Sequence, residues 1–233
     1  MDGAQEIVRW LTILAKKQCF ACEQPATGVD HVPPRCFFPK QKDLPPGTAD
    51  VRRNLITLPA CDKHNGRYSK DDEVASYVVL LTYKSNRMAE EQFLKKGLRA
   101  ITGRKGLVAS VFKNIEVFQL PDGREIPTFQ FDVTRVNRVM DRIARGLFFR
   151  DFGHRWACKL RMFADGPVMP DLSPSPHRQF IRKLEPGFAH SPRKGDSPAV
   201  FWYQSVAGVG GDYSHLIRMC FYGGLKYYAM PHK

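Results

Sequence analysis

Four residues in the N-terminal part of the chain have the types and spacing of a metal site. Cys19 and Cys22 form a C-x-x-C pair, and Cys61 and His64 form a C-x-x-H pair. Each pair places two ligand atoms on one side of a tight turn, so two pairs supply the four ligands of a tetrahedral zinc. The spacing therefore predicts a structural zinc. The alternative is a redox-active C-x-x-C with an unrelated Cys–His pair.

The other cysteines are less suited to that site. Cys36 is a weaker substitute ligand, and the apolar surroundings of Cys158 and Cys220 predict buried thiols. We expect no export signal before the first cysteine, and a reducing cytoplasm favours metal-bound thiols over disulfides. The cytoplasm is therefore the expected location.

Composition is typical of a folded protein outside the membrane. Of the 233 residues, 43% are hydrophobic and 25% are charged, which is the balance of a chain that builds a core. Every apolar run is shorter than the roughly 20 residues that span a bilayer. The net charge of +13 indicates a polyanionic partner, most simply nucleic acid, with a solubilising surface as the alternative.

The elements that position the metal ligands follow from local patterns. Residues 27–32 predict a strand that ends at Pro33, and a proline-containing loop follows to residue 50. Residues 54–58 predict a second strand, and a helix begins near Ser69. The order is strand, loop, strand, helix, with the zinc ligands joining the first strand to the helix entrance.

The rest of the chain predicts a mixture of helices and antiparallel strands. Asp132 caps a helix of about 18 residues with a strong apolar face. Residues 165–198 are rich in proline and predict an irregular segment. Further helices are predicted over 4–17 and 88–99, and strands over 107–112, 115–120, 126–131, 199–207, 213–222 and 225–230.

A row of arginines lies on one narrow arc of the helix that follows Asp132. Its positions recur at helical spacing beside the apolar face, and its members are Arg135, Arg138, Arg142 and Arg145. Such a row is either a stripe that contacts phosphates or a solvated helix face. The spacing does not choose between the two.

Three further polar features lie inside the zinc frame. Asp30-His31 is on the first strand, Asn54 opens the second, and Asn65 follows His64. The full pattern is C-x2-C-x7-D-H-x22-N-x6-C-x2-H-N, and it occurs in the stretches CFAC, VDHVPP, NLITLPAC and CDKHNGRYSKDD. This pattern resembles the HNH endonuclease family over about residues 19–75.

The resemblance implies a ββα-metal module that cleaves DNA with Mg²⁺ or Mn²⁺. His31 is suited to act as general base, because imidazole titrates near neutral pH. Asp30 and Asn65 would hold the catalytic ion through oxygen atoms, which Mg²⁺ prefers. Asn54 would be structural, pinning the loop that aims the histidine. Arg67 and Lys70 would contact phosphate.

Two positions depart from the usual family pattern. The last zinc ligand is often cysteine and is His64 here, and the third signature residue is often histidine and is Asn65 here. An H-N-N version occurs in the family. The alternative register makes His64 a ligand of the catalytic metal and leaves zinc with three cysteines, among which Cys36 is a candidate.

The predicted fold class is α+β. Residues 1–100 form the zinc-stapled HNH module, with its motif core at 19–75, and residues 101–233 form a basic α+β module with antiparallel strands. The expected partner is DNA, together with a protein partner if the chain belongs to a restriction, phage-defence or mobile-element system. Alternatives are a non-catalytic zinc module that binds nucleic acid, an RNA-directed nuclease, and, remotely, a thiol enzyme using Cys36 and His31.

Overall fold

Within the described part of the chain, antiparallel strands and four α-helices make up most of the regular structure. The computed structural model describes residues 18–65, 69–82, 85–103, 113–119, 123, 125–165 and 176–232. The helices are α1 (Ser69–Leu80), α2 (Arg87–Gly103), α3 (Val133–Phe152) and α4 (Pro176–Leu184). The strands are β1 (Gly28–His31), β2 (Thr57–Ala60), β3 (Lys113–Gln119), β4 (Glu125–Gln130), β5 (Leu160–Asp165), β6 (Lys194–Ser197), β7 (Phe201–Val206), β8 (Leu216–Phe221) and β9 (Leu225–Pro231).

The strands form three antiparallel sheets. β1 pairs with β2, with His31 opposite Thr57, and β3 pairs with β4. The third sheet has five strands in the order β5-β9-β8-β7-β6. These pairings confirm the α+β class with antiparallel sheets and the hairpin expected between 115–120 and 126–131. The helix predicted over 4–17 and the strand predicted over 107–112 lie outside the described residues.

Helix α3 begins and ends where its local sequence predicts. The Asp132 side chain accepts a hydrogen bond from the backbone N–H of Arg135 at 3.1 Å, which caps the first turn. Gly153 takes the left-handed conformation after the last turn, and its N–H donates to the carbonyl of Phe149. Its apolar face is buried along its length, including Ile143 and Leu147.

One glycine allows α3 to approach the β1–β2 hairpin. A Cβ at Gly146 would lie 2.9 Å from both Val32 methyl carbons and 3.1 Å from a Leu58 methyl carbon. Only a hydrogen at this position lets the two elements meet. Val32 and Leu58 are both buried at this contact.

The main hydrophobic core contains residues from both predicted modules. Val32 and Val78 belong to the same buried cluster as Ile143 and Met219. The packing therefore crosses residue 100, where we predict the boundary. The division into 1–100 and 101–233 stays a prediction.

Two local expectations were wrong, and one strand was not expected. β2 begins at Thr57, because residues 51–54 form turns in which the Asp50 carboxylate accepts from the N–H of Arg52 at 2.9 Å. The segment 165–198 contains α4 and β6, since Pro176 stands at the first helical position, where the ring is tolerated. β5 was not predicted, and its pairing with β9 depends on residues far along the chain.

Among the described helices, none has both the length and the apolar character that a bilayer crossing needs.

Candidate functional site

The four predicted zinc ligands come together. The ligand atoms of Cys19, Cys22, Cys61 and His64 all lie within 4.8 Å of one another. The two sulfurs of Cys22 and Cys61 are 3.6 Å apart, and Nδ1 of His64 is 3.3 Å from the sulfur of Cys61. Tetrahedral zinc with Zn–S bonds of about 2.3 Å places two sulfurs about 3.8 Å apart. The cluster therefore has the dimensions of a structural zinc site.

Backbone hydrogen bonds shape both halves of this cluster. The N–H of Cys19 donates to the carbonyl of Gln24 at 3.0 Å, which closes the C-x-x-C turn. The N–H of His64 donates to the carbonyl of Cys61 at 2.9 Å, which closes the C-x-x-H turn. Phe20 is fully buried, and its N–H donates to Pro59 on β2 at 2.9 Å. The turns are thus attached to the hairpin.

The local electrostatics favour the metal-binding forms of Cys61 and His64, which are the thiolate and the neutral imidazole. Burial opposes ionisation of Cys61, but hydrogen bonds from backbone N–H groups and from neighbouring cysteines lower the pKa of its thiol overall. Burial also lowers the pKa of His64, which favours the neutral imidazole that binds metal. Burial raises the pKa of Cys22 to about 11, which is the cost of a buried anion that a bound Zn²⁺ offsets.

The remaining cysteines lie outside this cluster. Cys36 is in the 3₁₀ turn Arg35–Phe37 and packs beside the core, so the four-ligand register with His64 is the one whose atoms converge. Cys220 is buried, as predicted, within β8. Cys158 is only half-buried, because it lies in the connection between α3 and β5, so its prediction was wrong.

Alternate residues of β1 face different surroundings. Val32, just beyond β1, lies on the same side as Asp30 and is buried against α3. Val29 is 59% exposed on the other side, which it shares with the half-buried His31. The hairpin therefore presents Asp30 toward the helices and His31 on its outer side.

The Asp30 carboxylate is held by two partners. Its Oδ1 accepts from the backbone N–H of His31 at 2.8 Å, and its Oδ2 lies 3.9 Å from Nε of Arg142. Burial raises the pKa of Asp30, while the Arg142 charge and the His31 N–H oppose the rise.

Asn65 lies over the face of β1 that carries Asp30. It is an exposed residue at the end of the turn before α1, and its N–H donates to the carbonyl of Cys61 at 2.8 Å. A Cβ at Gly28 would meet the Nδ2 atom of Asn65 at 2.9 Å. Gly28 and Asp30 share a face, because they are two residues apart on one strand. The glycine thus leaves room for the Asn65 amide on the Asp30 side.

The four arginines of the row on α3 are engaged in ion pairs. Arg135 and Arg138 both bind the carboxylate of Asp71, at 2.7 and 2.9 Å. Arg142 is 7% exposed and binds Asp72 at 2.5 Å. Arg145 binds Asp141 at 2.8 Å and also donates to the Trp156 carbonyl.

Both partner carboxylates on α1 lie in its first turn, so these contacts fasten α3 to the start of α1. Burial raises the pKa of Asp72 to about 6, and the Arg142 guanidinium opposes that rise.

Sequence reasoning did not foresee the roles of Gly28 and of the Arg142–Asp72 pair. The available signals were a glycine two residues before Asp30 and the adjacent acids Asp71 and Asp72.

A positively charged cleft separates the zinc cluster from α3. Its volume is about 160 Å³, and its lining contains three arginines, one acid and the histidine of the four-residue cluster. The lining residues are Ala21, His64, Arg138, Val139, Asp141, Arg142 and Arg145.

The other predicted site residues lie around the hairpin and the helix entrance. His31 is the last residue of β1, and Asn54 is exposed three residues before β2. Lys70 is exposed in the first turn of α1. Arg67 lies outside the described residues.

A comparison of the chain with family models, curated proteins and solved structures finds no match. The function is therefore inferred from the arrangement of its own residues.

Proposed function

We propose that the protein is an HNH-type endonuclease that hydrolyses phosphodiester bonds in DNA with the help of a divalent metal ion. The observation that carries this proposal is the position of the Asn65 amide on the face of β1 that holds Asp30. The chain also contains a ligand cluster of the size that zinc needs. Along the chain, the hairpin strands β1 and β2 and the helix α1 follow one another in the order that the motif predicts.

Asp30 and Asn65 form the donor set for the catalytic ion. Carboxylate and amide oxygens are ligands of hard cations, so the pair fits Mg²⁺ or Mn²⁺ better than a second zinc. When bound, such an ion neutralises charge on the phosphate and on the leaving oxygen.

His31 serves as the general base in this proposal. A neutral imidazole accepts a proton from water near neutral pH, and the half-buried position at the end of β1 leaves the ring in reach of solvent. Asn54 is structural and supports the loop that leads into β2. The Cys3His zinc is also structural, because a two-stranded hairpin is marginal without a staple.

Substrate binding in this proposal uses cations around the helix entrance. Arg67 and Lys70 precede or begin α1, and Arg138 is 52% exposed beside the charged cleft. The other three arginines of the row form ion pairs with carboxylates, so in this proposal they stabilise the structure around the cleft. They are Arg135, Arg142 and Arg145. The biological setting in this proposal is a restriction, phage-defence or mobile-element system.

A second candidate is a non-catalytic zinc module that binds nucleic acid. The observation that favours it is the Arg142 guanidinium 3.9 Å from Asp30, because a fixed cation competes with a metal ion for the carboxylate.

A plasmid-nicking assay separates the two candidates when it is run with Mg²⁺, with Mn²⁺ and with no added divalent ion. A nuclease converts supercoiled plasmid to the nicked form only when the ion is present. A binding module slows the migration of the plasmid in a gel without cutting it. A parallel reaction on labelled RNA checks the substrate, and preferential cleavage of RNA would overturn the assignment to DNA.

A further inference from the structure

A basic groove lies in the loop that joins β1 to β2. Its volume is about 540 Å³, and four of its six lining residues are cationic. The lining consists of Arg35, Lys40, Gln41, Lys42, Asp50 and Arg52. None of these residues belongs to the nuclease motif or to the arginine row of α3.

The groove has a fixed frame. Its walls follow two 3₁₀ turns, Arg35–Phe37 and Gln41–Asp43, and Phe37 in the first turn and Leu44 directly after the second are buried. The carbonyl of Phe37 accepts from the Tyr222 hydroxyl at 2.6 Å, and the carbonyl of Phe38 accepts from Nε of Arg52 at 3.0 Å. These contacts therefore fix the loop backbone and the Arg52 side chain before any ligand binds.

The cations of the groove differ from those of α3 in their partners. Arg35, Lys40 and Lys42 are exposed, and no carboxylate within the described ranges pairs with them. The single acid, Asp50, accepts from the backbone N–H of Arg52 at 2.9 Å. Burial and the nearby Arg35 charge lower the pKa of Arg52, and Asp50 and Asp43 partly oppose that fall, so the two guanidinium groups are close together here. An anion that enters the groove relieves this repulsion.

The groove adjoins the end of the hairpin that carries His31. His31 pairs with Thr57, and the N–H of Val32 donates to the carbonyl of Ile56 at 2.9 Å, so both arms of the loop leave from this end. Arg35 is four residues after His31, a distance of at most about 14 Å along an extended chain. A backbone bound in the groove thus continues toward the proposed catalytic histidine.

We propose that this groove binds the phosphate backbone of duplex DNA and guides it to His31. The proposal rests on the nuclease function for the direction of the path, whereas binding in the groove is independent of cleavage. Arg35, Lys40 and Lys42 are the contacts, and Arg52 supports the wall. The partner is identified by its chemistry, which is a row of phosphates that meets several cations at once.

The test measures the affinity for a fluorescein-labelled DNA duplex over a series of salt concentrations, with no added divalent ion. The groove variant combines Arg35→Gln, Lys40→Gln and Lys42→Gln. The control variant removes the same charge at three exposed positions away from the groove. Lys159→Gln lies directly before the edge strand β5, and Arg182→Gln and Lys183→Gln lie in α4. Thermal unfolding and zinc content check that both variants are folded.

Each lost phosphate contact lowers the slope of log affinity against log salt by about 0.9. We expect the slope of the groove variant to be shallower than that of the wild type by about 2–3. The control variant should keep the wild-type slope. The double variant Lys40→Gln with Lys42→Gln should lose about 2. Equal slopes in the groove and control variants, or no binding of DNA by the wild type, would overturn the proposal. If the wild type binds DNA through the groove but does not nick plasmid, the nuclease proposal is contradicted and the proposal of DNA binding in the groove is supported.

Discussion

Arg142 of α3 lies 3.9 Å from Asp30 of β1, and the arginine is almost fully buried at this contact. The same guanidinium binds Asp72 of α1 at 2.5 Å. One side chain of α3 thereby contacts both the hairpin and α1. Because two acids share one cation, a change at any of the three alters the charge balance beside the proposed metal ligand.

The acid Asp72 makes stability depend on pH. Its pKa is raised from 3.8 to about 6 in the folded protein, so the folded state binds the proton more tightly than the unfolded state. The free energy of unfolding from this group therefore falls as pH rises from about 4 to about 6, by on the order of 2–3 kcal/mol. Asp72→Asn removes this dependence, which urea denaturation at several pH values measures.

Asp196→Asn, at an exposed acid, is the control for that series and should follow the wild-type pH profile. If the stability difference between the wild type and Asp72→Asn stays constant from pH 4 to 6, or if the wild type gains on the variant as pH rises, the burial argument is wrong.

We expect a zinc ion bound by the Cys3His cluster to supply much of the stability of the hairpin. Cys61→Ser removes one of four ligands, and we expect zinc content to fall from about one ion per chain and stability to fall by several kcal/mol. Metal analysis and thermal unfolding measure both effects. Cys158→Ser alters a thiol outside the cluster and should keep the zinc. Full zinc retention by Cys61→Ser would contradict the four-ligand site.

The contact of α3 with the hairpin tolerates no side chain at Gly146. Gly146→Ala gains about 1 kcal/mol of helix propensity but places a methyl 2.9 Å from Val32, and overpacking of this kind costs about 1–3 kcal/mol. Since Val32 and Leu58 are buried and have little room to move, we expect a net loss of up to about 2 kcal/mol in chemical denaturation. Gly187→Ala, where a Cβ meets no atom within 4 Å, should be nearly neutral. A stabilised Gly146→Ala would show that the helix and hairpin separate easily.

Gly28 leaves room for the Asn65 amide over the face of β1 that carries Asp30. Gly28→Ala moves the end of the Asn65 side chain, and we expect a loss of about 10- to 100-fold in Mg²⁺ affinity measured from the dependence of nicking on Mg²⁺. Asn65→Ala should have an effect at least as large. Both variants should keep their zinc and thermal stability, and Val29→Ala on the outer side of β1 should nick like the wild type. Unchanged Mg²⁺ dependence in Gly28→Ala and Asn65→Ala would remove Asn65 from the metal site.

Local patterns were sufficient for features that depend on neighbouring residues. The spacing of Cys19, Cys22, Cys61 and His64 predicted the cluster, and Asp132 marked the start of α3. The pairing of Arg142 with Asp72 could not be foreseen, because these residues are 70 positions apart and an ion pair leaves no local pattern.

The same reason applies to other features that depend on the folded chain. The groove brings together Arg35 and Arg52, which are far apart in the sequence of the loop. The path of the chain through the two 3₁₀ turns places them on one groove. α4 was missed because prolines dominate its surroundings, although a proline is well suited to a helix start.

The most direct test of the nuclease is the rate of plasmid nicking by His31→Ala, on protein whose zinc content has been measured. General-base catalysis contributes about 10²- to 10⁴-fold, so we expect Mg²⁺-dependent nicking to fall by at least about 100-fold while zinc stays near one ion per chain. His190→Ala, at an exposed histidine of the C-terminal half, should retain the wild-type rate. Equal nicking by His31→Ala and the wild type, or no nicking by a wild type that binds DNA, would contradict the nuclease assignment.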